Sequence, residues 1–241
     1  GMVLMQDPLS MAEALRLPVV VFDGQRGGPS TGQVIYSQQE VTMAIFGGNG
    51  EGLRIVYSTS NLQDLHDYAL KAFSTAWKYR FPTILLYDGY QGKMKGVVEI
   101  PEIGNQELGI RDKQPILTTN MRNTYNQEQE IGDLVLKYKE EFDRVAPEIV
   151  EYETVGTNGA QIIIVAHGIV AACAKVAIEN LRKQGINVGL FRPITLWPFP
   201  KQAALQTLQT AKKIITFESS LGQMAKILKN ELWGLNLPIS E

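Results

Sequence analysis

Apolar and polar positions alternate between two periods along this chain, and the switches between them outline two α/β units. Residues 5–16 carry Leu9, Ala12, Ala14 and Leu15 at helical spacing, and Val19–Phe22 is a short β-branched run that reads as a buried strand. Ser37-Gln38-Gln39-Glu40 has the form of a capping box that opens a helix through Phe46, with Gln38 and Gln39 on its first turn. Arg54–Ser58 reads as the next strand. From Ser60 onward, Leu62, Leu65, Tyr68, Ala69, Ala72, Phe73 and Ala76 form the stripe of a helix packed on a sheet. Thr83–Tyr87 is a further strand. Strand and helix alternating through short loops predict a parallel sheet with right-handed crossovers.

The regular pattern fails from Tyr90 to Val155, where Gly92, Gly96, Pro101, Gly104 and Gly109 punctuate a long segment. One helix, from about Asn126 to Phe142 with Ile131, Leu134, Val135 and Tyr138, is expected there, as part of an arm between domains that wraps a neighbouring subunit. Alternation then resumes. Strands are predicted at Ile162–Val165, Asn187–Phe191 and Ile214–Glu218, and helices at Ile169–Gln184, Lys201–Thr210 and from Gly222-Gln223. Pro193, Pro198 and Pro200 predict an extended connection between the second strand and its helix. The expected organisation is an α/β domain over residues 1–95, an irregular arm over 96–157 and a second α/β domain over 158–241.

Composition narrows the function classes. With 241 residues and 44% apolar content the chain can hold one large or two modest domains. Its 23 basic and 25 acidic residues give a net charge of −2, so no electrostatic argument favours nucleic acid or an anionic membrane. No apolar span is long enough for a transmembrane helix and no secretory pattern opens the chain, so the expected compartment is cytoplasmic. The single cysteine, Cys173, excludes an internal disulfide and a cluster held by this chain's own thiolates. On a helix of Ala and Val, it is expected to be a small core residue.

The stretch with the most chemistry is Gln25-Arg26-Gly27-Gly28-Pro29-Ser30-Thr31-Gly32, delivered by the first strand. Ligands of open α/β sheets bind beyond the carboxyl ends of the strands. Arg26 offers a planar donor fork there, Gly27 and Gly28 allow close approach of backbone amides, and Ser30 and Thr31 add hydroxyls. Together they suit a carboxylate or phosphate, although a solvated surface turn has the same composition. Arg122 is a second candidate for an anion contact. His66 lies off the apolar stripe of its helix and reads as solvated, and His167, at a strand end, reads as structural rather than as a general acid or base.

This loop resembles the alpha-subunit signature of the 2-oxoacid:ferredoxin (acceptor) oxidoreductases, which use thiamine pyrophosphate. Further likenesses follow in the family's order. Gly1–Met5 with Pro8-Leu9 is similar to its SGPG-x-x-L-M segment, Gly47-Gly48-Asn49-Gly50-Glu51 to its G-x-H-G-E/D turn, and Phe81–Leu86 with Asp88 to its TPVIVLSD strand. Leu196-Trp197-Pro198-Phe199-Pro200 resembles LWPFP, and Glu218–Gln223 resembles E-x-N-x-GQ. Two positions depart: Ile35 stands where some members have threonine, and Asn49 where histidine is common.

The resemblance implies a pyrimidine-type thiamine-binding domain, incomplete at its front, followed by a transketolase C-terminal-like domain. Both ends of the chain then read as cut, and the glutamate that activates the cofactor is expected in the missing front. It implies oxidative decarboxylation of a small 2-oxoacid such as pyruvate or 2-oxoglutarate to acyl-coenzyme A, with electrons passed to ferredoxin. Thiamine pyrophosphate and its Mg would be shared with a beta subunit, the iron–sulfur cluster would sit on a partner, and gamma and delta chains could join the assembly. Arg26 would bind the substrate carboxylate, with Gly27, Gly28, Ser30 and Thr31 shaping the loop. Two other readings stay open: a component of another thiamine enzyme (transketolase-like or of the 2-oxoacid dehydrogenase E1 type), or a non-catalytic assembly subunit.

Overall fold

The computed structural model describes residues 2–33, 36–100, 122–234 and 239–240. Ile35, Pro101, Gly104 and Gly109 lie outside them. A 3-10 turn, Met2–Met5, leads into α1 (Gln6–Ala14), which buries Leu9 and Ala12. β1 (Val20–Gln25) runs three residues beyond the expected Phe22 and faces Val21, Asp23 and Gln25 inward. Then come α2 (Val41–Phe46), β2 (Ile55–Ser58), α3 (Leu62–Tyr79) and β3 (Thr83–Asp88). The Asn61 carboxamide caps α3 by accepting from the Asp64 amide at 2.8 Å, and Arg80 closes it in the left-handed region.

These strands form a sheet in the order β1-β3-β2, all parallel, and its fourth strand is not local. β7 (Thr195–Trp197) adds antiparallel to β2. The expected extended connection is thus a strand that stitches the second unit to the first. Leu196 is fully buried, and the Trp197 indole donates to Gly52 O at 3.0 Å.

α4 (Glu128–Ile149) continues two turns past the expected Phe142, through Pro147. It packs on its own chain: Phe142, Val145 and Ile149 are buried with Ile55, Tyr57, Phe81 and Leu85. Residues read as irregular also supply β4 (Tyr152–Val155), antiparallel to β6 (Val188–Pro193). The second sheet, ordered β4-β6-β5-β8-β9, is completed by β5 (Ile162–Val165), β8 (Lys213–Thr216) and β9 (Ile239–Ser240), with β6, β5, β8 and β9 parallel. Its helices are α5 (Gly168–Lys183), α6 (Lys201–Leu208) and α7 (Gln223–Glu231). Cys173 lies on the exposed side of α5 and is not a core residue. The helix buries Val170, Ala171, Ala174 and Ile178, and the cysteine falls outside that stripe.

One hydrophobic cluster runs through both units, joining Val21, Ala44 and Ile84 to Ile163, Phe191 and Leu228. The sheets meet at the carboxyl ends of their strands. The Ser58 hydroxyl lies 2.9 Å from His167 Nδ1, and Arg192, 3% exposed, pairs with Asp64 and Glu153. These ends carry the loops where α/β proteins place ligands.

Candidate active-site cleft

The arginine loop leaves β1 at Gln25 and closes on itself where the Gln33 amide donates to Gly27 O at 2.8 Å. Gly32 makes that closure possible. Its φ is +45°, and a Cβ there would lie 1.8 Å from Gly27 O, so no other residue fits without moving the chain. Ser30 also sits in the left-handed region, at φ 56°. For a non-glycine residue that conformation costs about 1–2 kcal/mol, the kind of strain that concentrates at functional loops.

The loop forms one wall of a cleft of about 1000 Å³. Arg26, Gly28, Ser30 and Thr31 line it, whereas Gly27 is buried behind them near Gln33 and Ser37. The Arg26 guanidinium is half-buried, and Nη1 makes one long contact, 3.4 Å to Gln33 O. That leaves most of its donor fork free for a ligand. Neither the Ser30 nor the Thr31 hydroxyl has a hydrogen bond among the described residues.

The other walls come from segments far away in sequence. Lys226 of α7 contributes a second cation, and its ammonium pairs with no carboxylate among the described residues. Asp23 and Glu40 enter from β1 and the start of α2. Burial, reinforced by the Glu40 carboxyl beside it, pushes Asp23 up to about 8, so the pair favours holding a proton. The cleft therefore combines two cations and free hydroxyls with the Asp23–Glu40 carboxyl pair, and the cations and hydroxyls are the part that accepts an anion. Its size suits a small acid together with part of a cofactor.

The expected capping box does not form. Glu40 is the residue before α2, its side chain makes no cap bond, and the Thr42 amide in the first turn is met instead by Gln223 Oε1 at 2.9 Å. Ser37 instead donates to Ser219 O at 3.0 Å, and Gln38, 1% exposed, donates to His167 O and accepts from the Ser219 amide, both at 2.9 Å. Gln39 turns the opposite way, into the cleft, where its Oε1 accepts from the Gly28 amide at 2.7 Å. Its carbonyl accepts from Gln223 Nε2, also at 2.7 Å. Glu218 caps α7 by accepting from the Met224 and Ala225 amides, each at 2.9 Å, which fixes the turn carrying Gln223.

The remaining candidates lie elsewhere. Arg122 is exposed and forms a two-pronged pair with Glu130. His66 sits beside Asp67 on an exposed surface, and among the described residues no group of three or more His, Cys, Asp or Glu could hold a metal. Asn49 lines a separate depression of about 410 Å³ between α1 and α4. His167 is fully buried, and burial, then Arg192, pushes it down to about 3, which keeps it neutral. Sequence reasoning missed Asp23, Glu40, Gln223 and Lys226. Glu40 and Gln223 stood in quoted motifs, the capping box and the Glu218–Gln223 segment, without a role in the site, and Asp23 fell just past the predicted strand end at Phe22.

Residues 1–158 match the family described as pyruvate flavodoxin/ferredoxin oxidoreductase, thiamine diphosphate-binding. Residues 160–236 match the core domain II of pyruvate:ferredoxin oxidoreductase. The ketoisovalerate oxidoreductase subunit VorB of Methanothermobacter thermautotrophicus is 31% identical over 238 residues, covering 95% of this chain and 67% of the relative. Among solved structures, the 2-oxoglutarate:ferredoxin oxidoreductase of Magnetococcus marinus superposes with a TM-score of 0.79 at 23% identity, over 99% of this chain and 48% of that one. A split-gene transketolase gives a TM-score of 0.55 at 16% identity, over 92% and 55%. These two likenesses concern the fold alone: a thiamine-binding α/β domain followed by a transketolase-like one.

Proposed function

The chain belongs to the pyruvate flavodoxin/ferredoxin oxidoreductase family, and from that premise we propose that its cleft binds a 2-oxoacid, with Arg26 holding the carboxylate. The observation that carries this reading is the half-buried guanidinium on the cleft wall, with a single 3.4 Å protein contact. A carboxylate arriving there meets two parallel N–H donors, and the hydroxyls of Ser30 and Thr31 stand on the same wall. Fixing that end of the substrate orients its 2-oxo carbon, which is the protein's share of the rate enhancement.

The donor set of the cleft fits the acid. The described residues bring no acidic or histidine cluster together for the magnesium of a bound pyrophosphate, so this reading assigns that half of the cofactor to the beta subunit. Thiamine pyrophosphate, when bound, supplies the reactive carbon and the electron sink. This chain's residues bind the acid and line its cleft. With Cys173 the only cysteine, electrons would leave through iron–sulfur clusters on a partner toward ferredoxin, and the acyl group would pass to coenzyme A. The chain spans two thirds of the ketoisovalerate relative and about half of the solved oxoglutarate enzyme, so the whole enzyme's activity, substrate and partners belong to this proposal.

The test is reconstitution with the beta subunit. Reduction of ferredoxin or a viologen that requires thiamine pyrophosphate, coenzyme A and a 2-oxoacid together supports the reading. Transfer to lipoamide or a sugar instead, or no thiamine binding with the partner present, contradicts it.

A further inference from the structure

The second α/β unit reaches into the arginine loop through a chain of hydrogen bonds that starts at the Glu218 carboxyl and runs on through two glutamine carboxamides. Glu218 fixes the first turn of α7. From that turn, Gln223 Oε1 accepts from both the amide and the hydroxyl of Thr42, at 2.9 and 3.0 Å. Its Nε2 donates to the Gln39 carbonyl at 2.7 Å. With its backbone held, Gln39 turns its side chain back, and Oε1 accepts from the Gly28 amide at 2.7 Å. Gly28 is two residues from Arg26 in the same closed loop. The neighbouring residue is tied to the same unit: Gln38 is bonded through its side chain to His167 and Ser219, and its amide donates to Ser219 O at 3.0 Å.

This geometry has a chemical consequence for the loop. The Gly28 amide is already occupied, so it serves to position the loop and is withdrawn from the donors that could meet a ligand. Among the described residues the loop's internal holds are the Gln33 to Gly27 bond and the long Arg26 to Gln33 contact, which close the turn on itself and tie it to no other element. Gln39 and Gln223 both line that cleft, and they come from the two different units.

We propose that Gln39 and Gln223 are positioning residues: through the Gly28 amide they let the transketolase-like unit set where Arg26 stands over the anion it binds. This rests on the reading of Arg26 as the carboxylate ligand. It gives the second unit a part in substrate binding in addition to its packing role.

The experiment uses the enzyme assembled with its partner subunits, assayed with 2-oxoisovalerate and with 2-oxoglutarate, comparing Gln39→Ala, Gln223→Ala, Arg26→Ala and their pairs. The expected result for Gln39→Ala is a KM for the better acid raised about tenfold, the size of one lost hydrogen bond, with kcat, the KM for coenzyme A and the unfolding midpoint unchanged. Gln223→Ala shifts KM in the same direction. The Gln39/Gln223 pair is no worse than the poorer single variant, because both act along one chain of bonds. In the Arg26→Ala background, Gln39→Ala adds nothing.

Hydrogen exchange of the peptide containing Gly28 provides a readout independent of turnover: both glutamine variants should speed it. An unchanged KM and unchanged exchange in Gln39→Ala, while Arg26→Ala is impaired, overturns this inference and leaves the role of Arg26 standing. A full additive effect of Gln39→Ala in the Arg26→Ala background also overturns it. Unimpaired Arg26→Ala overturns the carboxylate reading itself, and this inference with it.

Discussion

Ser58 and His167 stand 2.9 Å apart, hydroxyl oxygen to Nδ1, and this contact joins the carboxyl end of one sheet to that of the other. His167 is fully buried, its Nε2 has no hydrogen-bond partner among the described residues, and its pKa is pushed down to about 3 by burial and by Arg192. The folded protein therefore prefers the neutral ring, while the unfolded chain takes up a proton near pH 6.5. The stabilisation is present above pH 6.5 and is lost as pH falls toward 3, at no more than about 1.4 kcal/mol per pH unit. Urea unfolding at pH 7 and pH 4.5 should show a smaller acid loss in His167→Asn than in the parent. An equal loss in both would mean that the ring is not held neutral.

Asp23 works in the opposite direction. Its pKa is raised to about 8, so the folded state holds a proton that the unfolded chain has released above about pH 4. Its contribution is fully present below pH 4 and is lost as pH rises to 8. Asp23→Asn, which mimics the protonated carboxyl, should be more stable than the parent at pH 8 and nearly equal to it at pH 4. Urea midpoints at the two pH values check this.

Arg54 and Glu13 form a buried pair under the turn that follows α2. The guanidinium is 0% exposed and reaches Glu13 at 3.4 Å, Gly47 O at 2.9 Å and Gln6 Oε1 at 3.3 Å. Glu13→Ala should cost about 3–5 kcal/mol, because it strands a charge in the core. Adding Arg54→Met should restore part of that loss by removing the charge. A double variant less stable than Glu13→Ala alone would show that the arginine is held chiefly by Gly47 and Gln6.

Gly32→Ala should act on the loop and spare the fold. A Cβ at that position meets Gly27 O at 1.8 Å, so the loop must open, yet the surrounding residues from Gly28 to Gln33 are exposed. The expected outcome is a higher KM for the 2-oxoacid in the assembled enzyme, with a loss of unfolding free energy of about 1–2 kcal/mol.

What the sequence made legible divides by range. Ile162–Val165 and most of the stripe of α3 were readable because burial writes its own period into consecutive residues, although Phe73, counted in that stripe, is 47% exposed. β7 was not, because its partner Tyr57 pairs with Thr195 across the whole intervening chain, and the flanking prolines read as a connection. The capping box at Ser37–Glu40 failed for a related reason: Ser219 and His167 offered its side chains better partners than the local helix. Pro147 marks a helix end by local rules, yet Val145 and Ile149 carry the buried stripe past Phe142 and the helix continues. The arginine loop stood out through its glycines and its one cation. The rest of its cleft did not, since Gln39, Asp23, Gln223 and Lys226 converge only through the fold.

The central claim is that Arg26 grips the carboxylate of a 2-oxoacid. The most direct measurement is kcat/KM of Arg26→Ala in the assembled enzyme, with Arg26→Lys beside it. Loss of a charged bidentate contact predicts a fall of about 2–4 kcal/mol in transition-state stabilisation, carried by a higher KM, with only partial recovery in the lysine variant. Kinetics of Arg26→Ala equal to the parent's would contradict the account.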